Sequence, residues 1–122
     1  GTSEKNPELA LKINTETFIN ALSVSEEVNS LLFCPSSISS FGFTKLENRD
    51  NVKEDVGQKP SFIYGITKVY MELLGNYWTS HKGVDFRSYK YSGVASATIP
   101  HGGTTDFITC SFISNALCSN QR

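Results

Sequence analysis

Pro60-Ser61-Phe62-Ile63-Tyr64-Gly65-Ile66-Thr67-Lys68 opens the most periodic stretch of this 122-residue chain. From Phe62 to His81 the apolar residues Ile63, Ile66, Val69, Tyr70, Leu73, Leu74, Tyr77 and Trp78 recur at three and four, and Gly83 follows as a stop. That spacing predicts a helix over 62–81. Upstream, residues from Phe43 to Pro60 are polar and without period, which predicts a surface excursion. Before it, Leu31-Leu32-Phe33-Cys34 is a short apolar run closed by Pro35 and a serine cluster, as a parallel strand buried on both faces reads. Asn6-Pro7-Glu8 supplies an N-cap residue, a first-position proline and a first-turn acid, ahead of Ala10, Ile13, Phe18, Ala21 and Leu22. A helix of roughly four or five turns is expected there. Downstream, Val84 to Tyr91 is rich in β-formers, Pro100-His101-Gly102-Gly103 turns the chain, and a third helical pattern runs from about Thr105 to Leu117. Helix, strand, helix, strand, helix is the order of an α/β fold with a parallel sheet. Its chemistry is expected beyond the carboxyl ends of the strands, at 35–42 and 91–94.

Composition bounds what such a fold can do. A chain of 122 residues with 39% hydrophobic content has the size of one domain and can bury a moderate core. Its 11 Lys and Arg against 12 Asp and Glu are spread along the chain at net charge -1, so no basic stripe is available to a phosphate backbone, and nucleic acid is not an expected partner. Cys34, Cys110 and Cys118 are odd in number and far apart, which fits a reducing compartment. With no apolar run near the roughly 18 residues of a membrane span and no signal-peptide pattern at the start, an intracellular protein without a membrane partner is expected. His81 and His101 have no ligand partners at metal spacing, so surface histidines and no metal are expected. Because the chain opens on Gly1 and Pro7 starts a helix almost at once, its left end reads as an interior cut.

Tyr64 and Lys68 lie four apart, so both side chains project from one face of the predicted helix. A free tyrosine has a pKa of about 10, and a neighbouring ammonium favours the phenolate, so the pair could serve as a general base. Spacing alone does not decide this, because five tyrosines at this lysine content give one such pair by chance about a third of the time. The alternative is a surface lysine beside an amphipathic tyrosine. The setting narrows the choice: Ser37 stands 27 residues upstream, within Pro35-Ser36-Ser37-Ile38-Ser39-Ser40-Phe41-Gly42. A strand ending in a serine-rich loop closed by aromatic-Gly, then Pro-Ser-x-x-Tyr-Gly-x-x-Lys, resembles the extended short-chain dehydrogenase/reductase (NAD-dependent epimerase/dehydratase) superfamily. Within it the chain is most similar to the short-chain L-threonine 3-dehydrogenase family. The likeness rests on Asn14 to Leu22, Pro35 to Ile38, Gly83-Val84-Asp85-Phe86-Arg87-Ser88 and Gly102-Gly103-Thr104-Thr105-Asp106-Phe107, the last of which separates it from sugar-nucleotide epimerases.

The resemblance implies part of a Rossmann-like doubly wound parallel sheet, the second half of an NAD-binding domain. Residues 1–122 would be a single partial domain, with 1–100 its catalytic half and 101–122 the start of the substrate-binding region. It implies NAD-dependent oxidation of L-threonine to 2-amino-3-ketobutyrate. Tyr64 would take the proton of the 3-hydroxyl, Lys68 would hold the nicotinamide ribose, and Ser37 would orient the hydroxyl with help from Ser39. Tyr91, Ser92, Gly93 and Val94 would pass beside the nicotinamide, and Thr104, Thr105 and Asp106 would line the pocket for the amino-acid end. A homodimer through helices near 7–25 and 62–81 is implied, as is a mitochondrial location in a eukaryote or a cytoplasmic one in a bacterium. Plainer readings stand beside these: the serine cluster as a simple turn, Thr104 or Thr105 as a helix N-cap, Tyr77 and Trp78 as core, and Cys34 as a small buried residue.

The chain also departs from the pattern. Its nine glycines include no G-x-G-x-x-G or G-x-x-G-x-x-G spacing, so the N-terminal Gly-rich phosphate turn is lacking. Thr17 stands where the family has glycine, Ser92 where it has proline, Lys90 where it has arginine and His101 where it has a small residue. The expectation is an interior piece of a longer enzyme. A nucleotide-sugar epimerase or dehydratase, or a truncated inactive relative, is the alternative.

Overall fold

The structure, a computed structural model, describes residues 2–42 and 57–92. These fall in the first of two units, Gly1–Tyr91, with Ser92 the first residue of the second. The predicted turn at 100–103, the third helix, and 43–56 of the excursion lie outside the described residues.

A four-residue helix α1, Thr2–Lys5, precedes the 22-residue helix α2, Pro7–Val28. Asn6 starts α2 as its residue type directs, its side-chain oxygen accepting from the Leu9 N–H at 3.3 Å while Pro7 takes the first helical position. At about six turns, α2 runs beyond its sequence-based length. Apolar periodicity fades after Leu22, but Ser23 returns its hydroxyl to the Ile19 carbonyl at 3.0 Å and Asn29, left-handed at φ 49°, closes the helix.

Strand β1, Leu32–Ser37, and strand β2, Phe86–Tyr91, pair in parallel from Leu32 opposite Phe86 to Ser37 opposite Tyr91, as the alternating element order predicts. β1 takes in Pro35 and two serines that the sequence reads as loop; among the described residues both strands are sheet edges, where proline is tolerated. β2 begins two residues later than its β-formers suggest, after a bend in which the Phe86 N–H donates to the Val84 carbonyl at 2.9 Å. Between the strands runs helix α3, Ile63–Lys82, within a residue of its predicted ends and stopped by Gly83 at φ 74°.

Phe18, Leu22 and Val84 form the buried core, with Leu32, Met71, Leu74, Trp78 and Phe86 packed against it. Phe18 meets Phe86 edge to face at 5.8 Å between centroids. Gly75 makes room for that ring, since a β-carbon there would run into it. Outside the core, Glu26 of α2 clasps α3, accepting from Trp78 Nε1 at 3.1 Å and Lys82 Nζ at 2.9 Å. One sequence-based expectation fails here. β1 is not buried on both faces: Phe33 is 49% exposed, as is Leu31 just before the strand. Leu32, Cys34 and Ser36 face α2 and α3, and nothing among the described residues covers the other side.

Candidate active site

The amino end of α3 is built by residues far apart in sequence. Phe62 offers no side-chain cap, and Glu4 of α1 supplies one, its Oε1 accepting from the Ile63 N–H at 2.7 Å. A carboxylate at a helix N-terminus satisfies an orphan donor and favours the helix dipole. Tyr64 follows in the first turn, 40% exposed. One turn on, Lys68 holds its ammonium 5.5 Å from the centre of the Tyr64 ring and donates to the Pro35 carbonyl at 2.6 Å. Thr67 between them is fully buried, donating to the Tyr64 carbonyl at 2.8 Å. The two expected partners therefore do share one face, and Lys68 ties that face to β1.

At the carboxyl end of β1, Ser37 opens a 3-10 helix, Ile38–Phe41, its Oγ accepting from the Ser39 N–H at 3.2 Å. The turn reading of the serine cluster is thus realised, while the Ser37 hydroxyl keeps its own hydrogen to donate. Gly65 fixes where this turn lies. A β-carbon there would come within 2.5 Å of the Ser39 carbonyl oxygen and 2.6 Å of Pro60 Cβ, so only glycine lets the serine turn rest on α3 beside Tyr64. Ser37, Ser39, Tyr64 and Lys68 converge on one end of the sheet. Tyr91 joins them as the partner of Ser37 in the ladder, and Ser92 follows it, exposed. Gly93, Val94, Thr104, Thr105 and Asp106 lie outside the described residues.

Sequence reading missed the groups behind this end. Glu72 is only 9% exposed, yet it accepts from Ser36 Oγ and from Gln58 Nε2 at 2.9 Å and pairs with Lys90 Nζ at 3.1 Å. Gln58 also donates to the buried Ser40 hydroxyl at 3.1 Å, and Lys90 lies 5.4 Å from the centre of the Phe41 ring. A signal was present. Glu72 stands four and eight residues after Lys68 and Tyr64, on the helix face that carries the expected pair, where an acid packed against the sheet needs a partner. Cys34 is half-buried beside the site. Burial pushes its thiol pKa up, the Lys68 charge works against that rise, and Glu72 adds to it. No cluster of His, Cys, Asp or Glu among the described residues could hold a metal ion.

Residues 1–119 match the family model described as NAD dependent epimerase/dehydratase family. Mitochondrial L-threonine 3-dehydrogenase of Bos taurus is 41% identical over 105 residues, 85% of this chain and 28% of that protein. L-threonine dehydrogenase from Phytophthora infestans superposes with a TM-score of 0.82 at 37% identity, covering 93% of this chain and 37% of the other. A monomeric L-threonine 3-dehydrogenase from a metagenome does so at 0.81 and 36% identity, covering 92% of this chain and 36% of the other. The chain thus spans about a third of the length of the relatives it matches.

Proposed function

The chain belongs to the NAD dependent epimerase/dehydratase family, and from that premise we propose that these residues serve in the NAD-dependent oxidation of L-threonine to 2-amino-3-ketobutyrate. The observation that carries this reading is the seat of the serine turn on Gly65, which sets Ser37 and Ser39 on the helix of Tyr64 and Lys68. The substrate choice draws support from relatives named as L-threonine dehydrogenases and from Thr104-Thr105-Asp106 in the sequence.

Tyr64 Oη takes the proton of the threonine 3-hydroxyl, which a half-exposed phenol at a helix start can reach. Ser37 donates its remaining hydrogen to the same oxygen and orients it. Lys68, with three hydrogens on its ammonium, spends one on Pro35 and has two for the tyrosine and a ribose hydroxyl. When bound, NAD would supply the acceptor for the hydride of C3. The residues present fit its nicotinamide ribose end: an ammonium, an exposed phenol and the open carboxyl ends of two parallel strands, one of them ending at Tyr91. Ser39 supports the substrate hydroxyl, and Thr104, Thr105 and Asp106 receive the amino and carboxylate groups.

Pairing of two copies through α2 and α3 belongs to the same proposal. Ile66, Leu73 and Tyr77 repeat along α3 and Leu9 and Ile13 along α2, all of them exposed apolar groups. One relative is described as monomeric, so sedimentation of the intact protein decides the matter. A mitochondrial location in a eukaryote, or a cytoplasmic one in a bacterium, is proposed with the mitochondrial bovine relative in its support.

In the intact protein, reduction of NAD followed by absorbance should require L-threonine and fall at least a thousandfold in Tyr64→Phe, about the scale of a lost general base. Robust turnover by that variant would remove Tyr64 from the reaction. Turnover of a nucleotide sugar without threonine oxidation would replace the substrate assignment with the epimerase alternative.

A further inference from the structure

We propose that Glu72 is the positioning residue of this site, a buried carboxylate that sets the serine turn against Tyr64 and Lys68 without touching substrate; the catalytic part of this inference rests on the dehydrogenase reading above. Three segments meet on its two oxygens. Oε1 accepts from Ser36 at the end of β1, and Oε2 receives Gln58 Nε2 at 2.9 Å and Lys90 Nζ of β2 at 3.1 Å. Through Gln58 the same carboxylate reaches Ser40, which is fully buried inside the serine turn. Through Lys90 it reaches the ring of Phe41 that ends the turn. Lys68, one helical turn before Glu72, fixes the neighbouring carbonyl of Pro35. Ser36 is held from beneath by Glu72, and Ser37, the next residue, points its hydroxyl into the turn.

The two oxygens of this carboxylate receive side-chain donors from three separate segments, so its charge and shape are both needed. An amide in its place would keep an oxygen for Ser36 but present hydrogens to Gln58 or Lys90, two groups that already donate. Ser40 and Phe41 would then lose their indirect hold on α3, and the serine turn would sample positions away from Tyr64.

The test compares Glu72→Gln and Gln58→Ala with the unaltered intact protein by two readouts. Amide hydrogen exchange at Ser39, Ser40 and Gly42 should speed up at least tenfold in both variants while α2 amides between Phe18 and Ser25 keep their rates. With L-threonine and NAD, kcat should fall ten- to a hundredfold in Glu72→Gln and less in Gln58→Ala, with KM for NAD changed less than twofold. Unchanged exchange in the serine turn, or faster exchange spread equally over α2, would overturn the proposal. So would loosened exchange with full kcat. If Glu72→Gln does not fold, Gln58→Ala carries both readouts, since it leaves α3 intact. An unaltered protein that does not oxidise threonine would sink the dehydrogenase reading alone, because exchange still reports whether Glu72 holds the turn.

Discussion

The two ends of the sheet are held together by different forces. Near the amino ends of the strands, Phe18, Leu22 and Val84 make a small apolar core whose cohesion depends on area removed from water. At the carboxyl ends, Ser36, Ser40, Gln58, Glu72 and Lys90 are joined by hydrogen bonds and an ion pair around a buried carboxylate. Buried ion pairs recover little net stability after desolvation, and on the proposal made above for Glu72 this network sets geometry more than it adds cohesion. On that proposal folding and site shape fall to separate sets of residues, and substitutions should separate them.

The largest effect on stability is expected from Leu22→Ala, which empties the centre of the core and should cost about 2–5 kcal/mol in urea unfolding. Its residual folded fraction should keep normal exchange in the serine turn; loss of that pattern would mean the two ends are not separable. Gly65→Ala should do the reverse. The added methyl meets the Ser39 carbonyl and Pro60, costing about 1–3 kcal/mol as overpacking does, and threonine oxidation should fall further than stability accounts for. An unaffected kcat/KM in that variant would show that the serine turn need not lie on α3. Replacing Glu4 with alanine should cost about 1 kcal/mol, the scale of a lost N-cap, with faster exchange at Ile63 as the local sign. The smallest effect concerns Cys34 in a Cys110→Ser, Cys118→Ser background. Because burial raises its thiol pKa, the folded protein should react with iodoacetamide only at a pH above that at which the urea-unfolded chain reacts. Coincident pH profiles would mean that the strand gives the thiol no shelter.

What was legible in the sequence follows the same division. Helix α3 could be placed within a residue because its apolar period and Gly83 agree, and Asn6-Pro7 marks the start of α2 by local chemistry alone. Tyr64 and Lys68 share a face because helical geometry requires it. Ser36, Gln58 and Glu72 could not be joined in advance, since they lie 14 and 36 residues apart and meet only through tertiary packing. Glu4 was equally hidden, capping a helix that begins 59 residues later. The length of β1 was misjudged because Pro35 and the serines carry turn propensity, which pairing with β2 overrides. That one of its faces would be open did not follow from an apolar run, which records hydrophobicity but not which neighbours cover it.

The ladder that sets Ser37 beside Tyr91 acts as a vernier between two halves of the site. A strand advances about 3.3 Å per residue, and a shift of one position turns every side chain to the opposite face. An insertion or deletion of a single residue between Gly83 and Tyr91 would thus shift Tyr91 against Ser37, although Tyr64 and Lys68 had not been altered. Selection acting on such a protein would guard the length of that connection as closely as the identity of its tyrosine.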